Sequence, residues 1–258
     1  MKAIKRALKQ GLAAVGIKRQ RNKAAMPALP VEMDEHDRAV VEHVLSQQLT
    51  MTSAERLFTT LMAARFVCEA GIAGDFVECG VWRGGNSIVA ADVFRRMGPG
   101  RKCWMFDTYT GMTEPTEHDV TNRGGGGAMQ TWRERERDGH NEWCFASLED
   151  VSANLEQLGL LPQVRLIKGD VLQTLQDEAN LPSSIAVLRL DTDWYESTRA
   201  ELEILYPRLQ AGGVLILDDY GHWGGAKKAV DEYFKANGRR PFLQYTDETG
   251  RVGVKLGP

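Results

Sequence analysis

Two short acidic runs carry the clearest chemical signal in this chain. Leu188-Arg189-Leu190-Asp191-Thr192-Asp193 and Leu215-Ile216-Leu217-Asp218-Asp219 each end an apolar stretch in carboxylates. If the two stretches are neighbouring strands, Asp191 and the Asp218-Asp219 pair meet at one rim of a sheet, near enough for one cation to bridge. Packed carboxylates repel, and a hard cation such as Mg2+ relieves the repulsion through oxygen ligands while keeping positions for a substrate. No cysteine joins the group and only His222 lies nearby, which disfavours zinc. The alternative is a hydrogen-bonded structural network with one acid protonated.

A third apolar stretch runs into Glu78-Cys79-Gly80-Val81-Trp82-Arg83-Gly84-Gly85-Asn86-Ser87, a glycine-rich turn of the kind that joins a strand to a helix. Glycine there lets the backbone approach a ligand, and the helix start offers N–H groups to an anion. The glycine spacing matches part of a phosphate-binding loop, but Asn86 stands where that loop needs lysine and Glu78 adds repulsion. The dinucleotide fingerprint fails too, because Trp82 lies two residues after Gly80. An acid before the turn and a second acid, Asp107, ending the next strand suit a ligand with an amine and a ribose diol. Glu78 would accept from the amine, the turn from Gly80 to Ser87 would take a carboxylate, and Asp107 would accept the ribose hydroxyls. Asp170, after a third strand, would meet an adenine amino group. S-adenosylmethionine has all of these groups. Each acid alone reads equally well as a helix cap; their order along three strand ends argues for one ligand.

Such residues need a scaffold that gathers strand ends at one rim. Beyond Gly74 short apolar runs alternate with helical ones, the pattern of βαβ units and a parallel sheet covered on both faces. The spacing predicts strands over 75–81, 102–107, 164–168, 184–190 and 212–217, and helices over 85–97, 147–158, 195–209 and 224–237. Two more helices occupy 31–71, the second opening on a Thr52/Glu55 capping box and closing at Gly71. Near the C-terminus two strands flank a turn at Asp247-Glu248-Thr249-Gly250. Residues 111–144 fit no element. Gly124 to Gly127 are consecutive there, a charged run follows, and the stretch reads as a lid with glycine hinges. The expected organisation is a basic tail and linker over 1–30 and one α/β domain over 31–258.

Composition bounds the partners. The 258 residues carry a formal charge of −3, yet residues 1–23 hold eight Lys or Arg and no acid, so the remainder is acidic. That argues against nucleic acid, which needs a basic face on the folded body. In the tail, Ile4, Leu8, Leu12 and Val15 fall at helical spacing, so it reads either as a solvated chain end or as a weak contact with an anionic membrane. No apolar run approaches the length of a membrane span. The four cysteines, Cys68, Cys79, Cys103 and Cys144, are far apart and unpaired in pattern, which reads as reduced thiols in a cytoplasmic protein.

The motifs DFVECGVWRGGNS, FDTYTGM, LRLDTDWYEST and LILDDYGHWGGAKKAVDEY, from about Thr50 to the C-terminus, together resemble the macrocin O-methyltransferase family. The resemblance implies a class I S-adenosylmethionine-dependent, Rossmann-like fold, with seven mostly parallel strands and an antiparallel last one. It implies Mg2+-dependent methyl transfer to a sugar hydroxyl, with Asp191, Asp218 and Asp219 as metal ligands and Glu78, Gly80, Ser87 and Asp107 as cofactor residues. It also implies a homo-oligomer acting on a small-molecule or glycan acceptor. Catechol O-methyltransferases are similar in their metal acids, but their lysine base is replaced here by Trp194. The expected reaction is an in-line displacement in which Asp191, as ligand and base, or His222 removes the hydroxyl proton. Methylation of a phenol or polyketide hydroxyl, and a non-catalytic cofactor-binding subunit, are the competing readings. Trp82, Tyr109, Trp194, Tyr195 and Trp223 lie near the same rim, each as apt for packing as for a ligand, and Arg83 and Arg199 are open between surface pairing and substrate contact.

Overall fold

A computed structural model describes residues 29–257, apart from 123, 125 and 126. The expected tail helix lies outside the described residues. In chain order the first half contains α1 (Glu35–Ser46), α2 (Ala54–Glu69), β1 (Asp75–Cys79), α3 (Gly85–Met97), β2 (Cys103–Asp107), α4 (Ala128–Arg135), β3 (Glu136–Arg137) and β4 (His140–Asn141). The second half contains α5 (Leu148–Gln157), β5 (Val164–Lys168), α6 (Val171–Thr174), β6 (Ile185–Leu190), α7 (Tyr195–Ile204), β7 (Leu209–Leu217), α8 (Gly224–Asn237), β8 (Gln244–Tyr245) and β9 (Arg251–Val254).

The main sheet has the order β5-β2-β1-β6-β7-β9-β8. Its first five strands are parallel, and β9 runs against both of its neighbours, so the last strand of the chain is the antiparallel one. The strand order reverses between β1 and β6, beside Gly80, and open α/β sheets bind ligands at such a switch point. Period-two alternation divides the core. Phe76, Met105, Val187 and Ile216 face one layer with α1, α2, α3 and α5, while Val77, Phe106, Leu188 and Leu215 face the other with α7 and α8. Among the described residues no helix is long and apolar enough to cross a membrane.

Three expectations change. The cap of α2 is Ser53, whose hydroxyl accepts from the Arg56 N–H at 3.2 Å; the reciprocal box forms instead at Asp34 and Asp37 on α1. The predicted helix over 195–209 ends at Ile204, because Pro207 turns the chain into a short 3-10 segment that leads into β7. Residues 111–144 are not a structureless loop: α4 and the β3–β4 hairpin lie within them, and the segment is tied to the body. Asp119, fully buried, accepts from the Tyr195 N–H at 2.9 Å and from Thr116, while the Trp194 indole donates to the Thr113 carbonyl at 3.0 Å. Period reading misses α4 because three of its eight residues are charged and its buried Ala128 packs with Trp194, Trp223 and Ala226, which are distant in sequence.

Candidate active site

A cleft of about 410 Å³ opens at the C-terminal ends of β1, β2, β6 and β7. Its acidic centre is organised by a cation that the strand pattern hides. Arg189 alternates with Leu188 and Leu190 in β6, and its register partner in β1 is Glu78. The side chain is entirely buried. Its Nη1 donates to Glu78 Oε1 at 3.1 Å and to Asp191 Oδ2 at 2.5 Å, and its Nη2 donates to Asp218. Asp218 also receives Arg56 of α2, whose Nε lies 2.9 Å from Asp247 in the β8–β9 turn. Part of the charge that the sequence reading left for a metal is therefore neutralised within the chain.

The remaining acids converge. One carboxylate oxygen each from Asp191, Asp193 and Asp219 lie within 4.8 Å of one another. Asp218, expected as the third ligand, has both oxygens engaged by arginines, and Asp193 takes its place in the cluster. Asp219 Oδ2 is buried without a hydrogen-bond partner. Burial raises the Asp191 and Asp219 carboxyls well above the usual range, with neighbouring carboxylates adding to it; Arg189 only partly offsets this at Asp191. Burial likewise pushes Asp193 up to about 7. Three hard oxygen donors with an orphaned acceptor fit a divalent cation. His222 lines the same cleft, its backbone N–H bonded to the Asp219 carbonyl and its ring edge-on to Trp223.

The other half of the cleft is built by the glycine turn. A Cβ at Gly80, where φ is +82°, would lie 1.9 Å from the Asp191 carbonyl oxygen, so β1 and β6 leave room there only for glycine. Glu78 lines the cleft with its carboxyl pushed up to about 7 by burial, against the pull of Arg189. Ser87 is buried outside the cleft and donates to Glu78 Oε2, so it orients that acid rather than meeting a ligand. Asp107 lines the cleft, but its Oδ2 is filled by the Val81 and Trp82 N–H groups at 2.7 and 3.0 Å. Its Oδ1 takes the Tyr109 N–H at 2.7 Å and lies 3.4 Å from the Thr108 hydroxyl; that hydroxyl's single proton has the shorter 2.6 Å bond to the Gly111 carbonyl, which leaves capacity for about one ligand hydroxyl on Oδ1. Asp170 lines the cleft and also caps α6 through the Leu172 N–H.

Trp82, Cys144 and Asp193 line the cleft in left-handed backbone, uncommon for residues with a side chain and concentrated here at the site. Trp194 and Trp223 are buried against Trp143 of the 111–144 segment, with ring centroids 5.0 to 6.1 Å apart, so they close that segment onto the strand ends. Tyr109 is buried with its hydroxyl on the Met105 carbonyl, and Tyr195 packs at the surface against His118 and Arg199. Arg199 pairs with Glu196 at 2.8 Å, and Arg83 lies over Trp82; neither lines the cleft. Sequence reasoning passed over Arg189, Arg56 and Asp193. A lone arginine inside an apolar strand and the second aspartate of Asp-Thr-Asp were the available signals; Arg56, in the first turn of α2, offered none.

Comparison with known proteins bears on this arrangement. The family model of macrocin O-methyltransferases matches residues 2–252, so the match begins within the basic tail rather than near Thr50. An 8-demethyl-8-(2,3-dimethoxy-alpha-L-rhamnosyl)-tetracenomycin-C 4'-O-methyltransferase of Streptomyces olivaceus is 37% identical over 78% of this chain and 73% of its own. A mycinamicin III 3''-O-methyltransferase of Micromonospora griseorubida is 32% identical over 78% and 76%. The solved structure of the O-methyltransferase NovP superposes with a TM-score of 0.70 at 32% identity, covering 81% of this chain and 82% of that one.

Proposed function

The chain belongs to the macrocin O-methyltransferase family and is an O-methyltransferase, and from that premise we propose that it methylates a sugar hydroxyl with S-adenosylmethionine in a metal-dependent reaction. The observation that carries the reading is the convergence of Asp191, Asp193 and Asp219 in the same cleft as the Gly80 turn. Glu78, Gly80 and Asp170 would hold the cofactor, which supplies an electrophilic methyl group when bound. Asp107 would contribute through Oδ1 to a ribose hydroxyl and through its other bonds to the shape of the turn.

Asp191, Asp193 and Asp219 would hold a divalent ion such as Mg2+, which supplies Lewis-acid polarisation of a hydroxyl oxygen when bound. Asp218 supports them from beneath by carrying Arg56 and Arg189. Arg189 donates to Asp191 Oδ2 and so fixes the carboxylate that would hold the ion and take the hydroxyl proton. His222 is the second candidate for that proton. Met112, Trp143 and Trp223 exclude water over the acids and give an apolar face on which a sugar ring can lie. Fixing the acceptor hydroxyl against the methyl donor supplies most of the acceleration, as effective molarities offset about 7–11 kcal/mol in favourable systems.

The test is methyl transfer from isotopically labelled cofactor to a panel of rhamnosylated and other deoxyglycosylated acceptors, with and without chelator. The expected product carries the label on a sugar oxygen, and its formation stops with chelator and returns with Mg2+. Label on a phenol or polyketide hydroxyl would overturn the acceptor assignment, and undiminished turnover in metal-free buffer would overturn the metal.

A further inference from the structure

Glu201 on α7 is wholly buried and takes part in none of the chemistry above. Its Oε1 accepts from the Thr192 hydroxyl at 2.9 Å. Its Oε2 is buried without a hydrogen-bond partner, with the Cys79 thiol alongside. An acid in this position is expensive: it adjoins Leu202, Leu205 and the apolar layer under β1 and β6, where a leucine would pack at lower cost.

Thr192 stands between two members of the acidic cluster, and the two are held unequally. Asp191 continues the β-ladder, with its N–H on the Cys79 carbonyl at 2.8 Å and its own carbonyl pressed against Gly80. Asp193 has left the sheet and adopts φ +67°. The Thr192 carbonyl, which takes the Trp194 N–H at 2.7 Å, and the Thr192 hydroxyl on Glu201 hold the turn that presents it.

We propose that Glu201 is a positioning residue which, through Thr192, sets the separation of Asp191 and Asp193 and so the metal affinity of the site. The inference rests on those acids holding the ion. Glutamine at 201 keeps a carbonyl for the Thr192 hydroxyl and serine at 192 keeps the hydroxyl; leucine at 201 and valine at 192 each remove the bond with little change of volume.

The experiment measures Mn2+ binding by electron paramagnetic resonance on the full-length protein without substrate, the metal-free melting temperature, and kcat, for Glu201→Gln, Glu201→Leu, Thr192→Ser and Thr192→Val. Glu201→Leu and Thr192→Val are expected to weaken Mn2+ binding on the order of tenfold or more, as loss of outer-shell support does at metal sites. Glu201→Gln and Thr192→Ser should recover binding to within about threefold, and the metal-free melting temperature of Glu201→Leu should not fall. Wild-type affinity in the leucine and valine variants would overturn the proposal. So would a loss of affinity that tracks melting temperature across all four, which marks general packing. Should the wild type bind no Mn2+, the metal reading fails, and kcat decides the rest: turnover retained in the leucine and valine variants overturns the positioning role, and turnover lost there but kept by glutamine and serine supports it.

Discussion

Replacing Arg189 by methionine removes the buried cation while keeping an unbranched side chain of comparable reach. The guanidinium is fully buried and meets Glu78, Asp191 and Asp218, so its loss leaves Glu78 and Asp191 without this internal counter-charge and Asp218 with Arg56 alone. Breaking a buried ion pair from one side costs about 3–5 kcal/mol, and protonation of the abandoned acids keeps the figure from multiplying with the number of partners. The pH dependence follows from Glu78. Burial raises its carboxyl from 4.5 to about 7 even with Arg189 pulling it down, so the native state holds this proton more tightly than the unfolded chain does. Stability from that group is complete below about 4.5 and is lost as pH rises through 7. Without Arg189 the carboxyl rises further, and the loss continues to higher pH. The gap between wild type and Arg189→Met should therefore widen from pH 5 to pH 8.5 in urea unfolding curves. A gap below about 1 kcal/mol at pH 7, or one of constant size across the range, would refute the view that Arg189 neutralises these acids.

Gly80→Ala should destabilise by about 2–4 kcal/mol in urea unfolding, because φ is +82° and the new Cβ would meet the Asp191 carbonyl at 1.9 Å. Gly84→Ala, with φ +90° but contacts no closer than 3.5 Å, should cost only about 1–2 kcal/mol; equal losses at the two sites would remove the steric argument. Asp193→Asn should weaken Mn2+ binding by roughly tenfold or more, whereas Asp218→Asn should lower stability and leave binding within about threefold. The reverse pattern would restore Asp218 to the ligand set in place of Asp193. The Glu201 carboxyl is pushed up to about 8 by burial, so it favours the native state below 4.5 and loses that contribution as pH rises through 8. Glu201→Gln should flatten this slope, whose full span is on the order of 5 kcal/mol, in melts run from pH 5 to 9; an unchanged slope would mean that Glu201 is ionised in the folded protein.

The order of strands and helices was legible because local pattern determines it. Apolar runs such as Ile185–Leu190, broken only by Arg189, are too short for a buried helix and fit a strand covered on both faces, and glycine at 80 and the aspartates at 191, 218 and 219 mark where those strands stop. The family resemblance was legible for the same reason, since its motifs are these strand ends. The 111–144 segment was not, because Ala128 at the start of α4 packs in a cluster with tryptophans 143, 194 and 223, which are brought together only by the assembled sheet.

The site divides along the same line. That acids would gather at one rim follows from the sequence, since all of them lie at or just past the C-terminal end of a strand. How their charge is balanced does not, because it depends on which strands are neighbours and in what register. The pairing of β1 with β6 sets Glu78 opposite Arg189, and the packing of α2 brings Arg56 to Asp218 from 162 residues away. Electrostatic energy depends on distance through space, and distance along the chain says almost nothing about it until the sheet is assembled.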